Sequence, residues 1–114
     1  MSDLMEFRHL KYIVPVAETA NFTRAAERLF LAQPSLSKQI KDLEDEIGFP
    51  IFVRNRDGVR ITPAGQMIIA YAQEALSARR EIMTMARAVH RGEVAPLTPR
   101  LFALREFRTS RILS

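Results

Sequence analysis

The chain has 114 residues, 47% of them hydrophobic, with no cysteine and a formal net charge of +4. That length suits one small folded domain plus an appendage. The missing cysteine excludes a disulfide framework and thiol chemistry, the longest apolar runs are far too short for a membrane span, and the N-terminus has no signal-peptide pattern. The basic excess is uneven: residues 1–63 hold nine Lys/Arg and nine Asp/Glu, whereas residues 64–114 hold eight and four. Overall charge is therefore weak evidence for a nucleic-acid partner, and local segregation counts for more.

Phe7, Leu10, Val14 and Ala17 are spaced three, four and three apart, which predicts an amphipathic helix from about Glu6 to Thr19. Pro15 is awkward inside it, because proline removes one backbone bond and clashes a turn back, at roughly 3 kcal/mol or more. Either a kink or a later helix start is expected. Asn21 ends this element and can begin the next, a short second helix with Thr23 as the expected N-cap and apolar positions Phe22, Ala25, Ala26, Leu29 and Phe30. Residues 22–41 carry Arg24, Arg28, Lys38 and Lys41 against Glu27 alone.

After a turn at Leu31-Ala32, the segment Gln33 to Gly48 reads as a third helix with one apolar stripe, Leu36, Ile40, Leu43 and Ile47. Pro34 is expected at the first helical position and Gly48 as the stop. The polar face is split. Its first half carries Gln33, Ser35, Ser37, Lys38, Gln39 and Lys41, and its second half Asp42, Glu44, Asp45 and Glu46. Amides, hydroxyls and ammonium groups hydrogen-bond phosphates and base edges, while carboxylates are repelled by a polyanion. Such a helix approaches DNA with its N-terminal end, as the second helix of a helix-turn-helix does. An ordinary amphipathic helix with a solvated face is the alternative.

Phe49–Arg54 and Val59–Thr62 are rich in β-branched and aromatic residues and flank a turn containing Asp57-Gly58, a hairpin signal. Arg54, Arg56 and Arg60 would make its tip a cationic finger beside the basic end of the third helix; a solvated turn is the plainer alternative. Thr62-Pro63 then opens a long helix, hydroxyl capping and proline at the first position. Along it Ala64, Ile68, Tyr71, Ala75, Ala78, Ile82, Met85 and Val89 form one seam, and Ile69, Ala72, Leu76, Met83 and Ala86 a second. From Ala64 to His90 the helix is a rod of roughly 40 Å, too long to bury on its own domain, so self-association through it is expected. A monomeric linker is the competing reading. From Gly92 onward the pattern dissolves into prolines and scattered arginines, and poor order is expected there.

Catalytic chemistry finds little support. His9 and His90 are the two histidines, expected on the surface of the first helix and at the end of the long one. No acid–base pair, Gly-rich phosphate loop or metal-ligand spacing is evident. No enzyme, cofactor or metal is expected.

NFTRAAERLFLAQPSLSKQIKDLEDEIGFPIFVRN, followed by GVRITPAGQ and a long helix, resembles the N-terminal DNA-binding domain of the LysR-type transcriptional regulators over about residues 6–91. The resemblance implies a mainly α fold: a winged helix-turn-helix in residues 1–63, made of three helices and a β-hairpin wing, then a linker and dimerisation helix over 64–91. Residues 92–114 are left as hinge or tail. It further implies a cytoplasmic, nucleoid-associated regulator that binds promoter DNA as a homodimer, tetrameric when complete, and answers to a small-molecule inducer. Carried over position by position, the recognition-helix start falls on Gln33, Pro34, Ser35, Ser37 and Lys38, a phosphate contact on Thr23, and the wing on Arg54 and Arg56. Ile68, Tyr71, Ala75, Ala78, Ile82, Met85 and Val89 would form the dimer seam. Lys38 stands where arginine is frequent, which keeps the charge but loses bidentate geometry toward guanine. Pro15 is one departure from the family pattern, and the absent inducer-binding domain is the other, so no inducer site is expected in this chain. A winged-helix interaction module that does not engage DNA remains the alternative function.

Overall fold

A computed structural model describes residues 5–95. Its elements, in order, are α1 (Phe7–Thr19), α2 (Phe22–Leu29), α3 (Gln33–Ile47), β1 (Phe52–Asn55), β2 (Gly58–Ile61) and α4 (Pro63–His90). Three helices, a two-stranded wing and a long helix therefore stand in the expected order. The expectation of a poorly ordered tail falls, beyond residue 95, outside the described residues.

α1 starts at Phe7 and runs unbroken through Pro15, so the later start is not adopted. The bond lost at Pro15 is one that the carbonyl of exposed Lys11 would have accepted, where water can replace it. The buried face of α1 is His9, Leu10, Ile13 and Val16, with Val14 and Ala17 half-buried at its edge and Phe7 exposed. The stripe thus lies about one position away from the expected one. Neighbouring apolar residues satisfy a helical period almost equally well, and the position of α2 and α3 decides between them. His9, expected on the surface, is 7% exposed, and its Nδ1 accepts the Glu6 N–H at 3.0 Å. It serves the helix start.

α1 ends at Ala20, whose left-handed backbone (φ 53°) lets its N–H reach the Val16 carbonyl at 2.8 Å. Asn21, and not Thr23, is the N-cap of α2: its Oδ1 accepts the Arg24 N–H at 2.9 Å. Thr23 lies exposed in the first turn. Phe30, expected as a core position, is the second surprise. It is the left-handed C-cap of α2 (φ 57°) and 95% exposed. The chain must reverse between α2 and α3, and the cap that satisfies the last carbonyls turns the ring outward.

In α3 the residues Leu36, Ile40 and Leu43 are buried, and Ile47 is half-buried. Ala32 is the N-cap, so Pro34 occupies the second helical position, where its missing N–H still costs nothing. Gly48 closes the helix at φ 91°. In the wing Phe52 pairs with Ile61, Val53 with Arg60, Arg54 with Val59 and Asn55 with Gly58. Arg56 and Asp57 make the two-residue turn. The wing is tied to the α1–α2 corner by the Val59 N–H donating to the Ala20 carbonyl at 3.3 Å.

The first compact unit extends through Glu74 and so takes in the opening of α4. Its core combines the α1, α2 and α3 residues above with Ile51, Phe52, Ile69 and Ala72. Thr62 caps α4, its Oγ1 accepting the Gly65 N–H at 2.9 Å. Gly65 itself is buried, and a Cβ there would lie 2.4 Å from the Ile51 carbonyl oxygen. Only glycine permits that approach of α4 to the residue preceding β1.

Candidate nucleic-acid interface

The first turns of α3 place Gln33, Pro34, Ser35, Ser37 and Lys38 within one short stretch. Pro34, Ser35 and Lys38 are exposed, and Gln33 and Ser37 half-buried. The Gln33 amide Nε2 donates to Ser37 Oγ at 2.7 Å, an i,i+4 pair along one face. Lys38 pairs with Asp42 at 2.8 Å and Lys41 with Asp45 at 3.1 Å. Hydrogen bonding to those carboxylates, and then their charge, holds both ammonium groups above the ordinary lysine pKa of 10.5. Both lysines are therefore cations at neutral pH, each with a carboxylate beside it.

The acidic half of α3 is not one uniform solvated face. Glu44 turns inward, accepting the N–H groups of Ile51 at 2.6 Å and Phe52 at 3.0 Å. Its carboxylate fastens the start of the wing to the last turn of α3. Sequence reasoning missed this because Glu44 sits among three other acids, and nothing in their order singles it out.

Arg54, Arg56 and Arg60 do not share the tip. Arg56 alone belongs to the turn, which is shaped by the Asp57 N–H donating to Asn55 Oδ1 at 2.9 Å. Arg60 lies exposed on β2. Arg54 reaches back: its guanidinium lies 3.6 Å from the centroid of the Phe22 ring and donates to Ser37 Oγ. Phe22 in turn meets Phe52 edge-on, with centroids 6.0 Å apart. One arginine thereby links β1, the start of α2 and the tip of α3. Thr23, Arg56 and the α3 tip are exposed or half-exposed within the same unit, with Thr23 one residue from Phe22.

On α4, Ile69 and Ala72 of the second seam are buried in the first unit, whereas Leu76 is half-buried and Met83 and Ala86 are exposed. Of the seam expected for pairing, Tyr71 is exposed, and Ile68, Ala75, Ala78, Ile82, Met85 and Val89 are half-buried.

Residues 7–66 match the model of the bacterial regulatory helix-turn-helix proteins of the lysR family. Among curated relatives, the Hca operon transcriptional activator HcaR of Escherichia coli is 52% identical over 73 residues, covering 64% of this chain and 24% of its own length. The regulator BudR of Klebsiella aerogenes is 40% identical over 115 residues, covering 91% of this chain and 80% of its own length. The chain thus spans about a quarter of HcaR and most of BudR. Among solved structures, the BenM DNA-binding domain in complex with catB site 1 DNA is similar with a TM-score of 0.76 and 39% identity, over 82% of this chain and 100% of that one. The helix-turn-helix, the wing and the opening of α4, together with these matches, place the chain in the lysR family of bacterial regulatory helix-turn-helix proteins.

Proposed function

We propose that this chain binds double-stranded promoter DNA sequence-specifically, as the DNA-binding part of a LysR-type transcriptional regulator acting in the bacterial cytoplasm. The observation that carries the reading is the polarity of α3. Its first turns carry an amide, two hydroxyls and an ammonium on residues that are exposed or half-exposed, while Glu44 of the acidic half is occupied with the wing. In this reading Gln33, Pro34, Ser35, Ser37 and Lys38 enter the major groove, Thr23 meets the phosphate backbone, and Arg54 and Arg56 belong to the wing side of the same surface. Residues 64–91 act as linker, and Ile68, Tyr71, Ala75, Ala78, Ile82, Met85 and Val89 join two copies. Support for the DNA partner comes from the BenM domain, which is similar over its whole length and was solved on DNA.

The test is a binding titration against duplexes selected from a randomised library. Affinity should fall steeply and log-linearly with salt as phosphate-bound counterions are released. Lys38→Glu should weaken binding by roughly a hundredfold, since it reverses a charge at the groove. Binding insensitive to salt, or unchanged in Lys38→Glu, would rule the assignment out.

A further inference from the structure

We propose that Arg54 is a positioning residue for base reading rather than a wing contact with the duplex: it locks Ser37 into the role of a hydrogen-bond donor. This deepens the DNA-binding reading and rests on it. A guanidinium has donors and no acceptor, so the direction of the Arg54–Ser37 bond follows from chemistry alone. The Gln33 amide donates to the same oxygen. A serine hydroxyl has two lone pairs and one hydrogen. Both lone pairs of Ser37 are thus engaged within the protein, and what is left for a ligand is the O–H. Among the described residues nothing accepts that hydrogen.

Arg54 is itself held on two sides. The Phe22 ring lies under its guanidinium, and Phe22 is buried and braced by Phe52. Stacking on a ring and a directed hydrogen bond leave the planar group little freedom. Its position is therefore set before any duplex arrives, which is what a residue acting through Ser37 requires. The consequence is a stated specificity. Ser37 meets an acceptor on a base edge, such as purine N7, guanine O6 or thymine O4, and disfavours the cytosine N4 amino group, a donor. Gln33 keeps Oε1 and one N–H that Ser37 does not use, the donor–acceptor pair that matches adenine N6 and N7.

The 114-residue chain, its Arg54→Lys and Ser37→Ala variants and the double variant would be titrated with the duplex enriched from a randomised library and with a scrambled duplex of equal composition. Lysine at 54 keeps the charge but neither the flat stack nor the fork. Arg54→Lys should weaken the enriched duplex roughly tenfold, the scale of one charge-assisted hydrogen bond, and relax base preference at the same base pair that Ser37→Ala relaxes. Added to Ser37→Ala, it should have no further effect. The same loss on both duplexes, additive with Ser37→Ala and accompanied by a salt slope lower by about one in Arg54→Gln, would identify a phosphate contact and overturn the proposal. So would relaxation at different base pairs. Thermal unfolding of each variant guards against misfolding. Should Arg54→Lys fail to fold, Phe22→Leu keeps the arginine but removes the ring that holds its guanidinium, and should relax the same base pair. If no duplex is enriched by the unaltered chain, the DNA-binding reading itself fails and this inference falls with it.

Discussion

Lys38 and Asp42, 2.8 Å apart, set the strength of the α3 tip between them. Both are exposed, so the pair contributes little to stability. Its effect is on the field that a polyanion meets, because each carboxylate partly cancels the cation one turn before it. Asp42→Asn should therefore raise affinity for scrambled DNA several-fold and steepen the salt slope by about one, since one more cation is free to displace a counterion. Salt-dependent titration would show it, and an unchanged slope would count against it. The pH dependence has a definite sign. Asp42 and Asp45 raise the folded-state pKa of Lys38 and Lys41 above 10.5, so what these pairs contribute is fully present below the unfolded lysine value. It is lost only as pH rises through the higher folded value. Across neutral pH both stay charged, and binding should not titrate through them.

At the scale of elements, a carboxylate joins α3 to the start of the wing, and a missing side chain lets the opening of α4 approach Ile51. Glu44 accepts two backbone N–H groups at the start of the wing, Ile51 at 2.6 Å and Phe52 at 3.0 Å. Glu44→Ala leaves both donors without that partner and should cost about 1.5–3 kcal/mol, the range for hydrogen bonds to a charged group. Glu44→Gln, which keeps one acceptor oxygen, should cost less. Gly65→Ala should cost about 1–3 kcal/mol by overpacking, because its Cβ would stand 2.4 Å from the Ile51 carbonyl oxygen. Urea unfolding midpoints at constant m-value check all three. A Gly65→Ala chain as stable as the original would show that the helix start can shift away at no cost.

The whole molecule raises the question of pairing. Within the first unit α4 buries Gly65, Ile69 and Ala72, whereas Tyr71 is exposed and Ile68, Ala75, Ala78, Ile82, Met85 and Val89 are only half-buried. An apolar seam of that length on a 28-residue helix suits a second copy. Ile82→Glu places a charge in its middle. It should convert a dimer to a monomer in sedimentation equilibrium and lower affinity for an inverted-repeat duplex, since two half-sites then bind independently. A chain that sediments as a monomer before substitution would refute the seam's assignment.

Periodicity and punctuation in the chain were enough to specify the order of elements. Asn21, Gly48 and Thr62-Pro63 mark boundaries because capping and φ preference are local properties. The split of α3 into an amide-and-ammonium half and an acidic half is likewise readable from residue order. Tertiary structure decided which of several near-equivalent apolar positions face inward, which is why the stripe of α1 moved to Leu10, Ile13 and Val16 and why Phe30 turned out to solvent. It also decided which polar groups meet across long sequence separations. Arg54 and Ser37 lie 17 residues apart, and Glu44 finds the Ile51 N–H seven residues on. A helical period carries no information about such meetings, because it describes one element's faces and says nothing of what the next element brings to them.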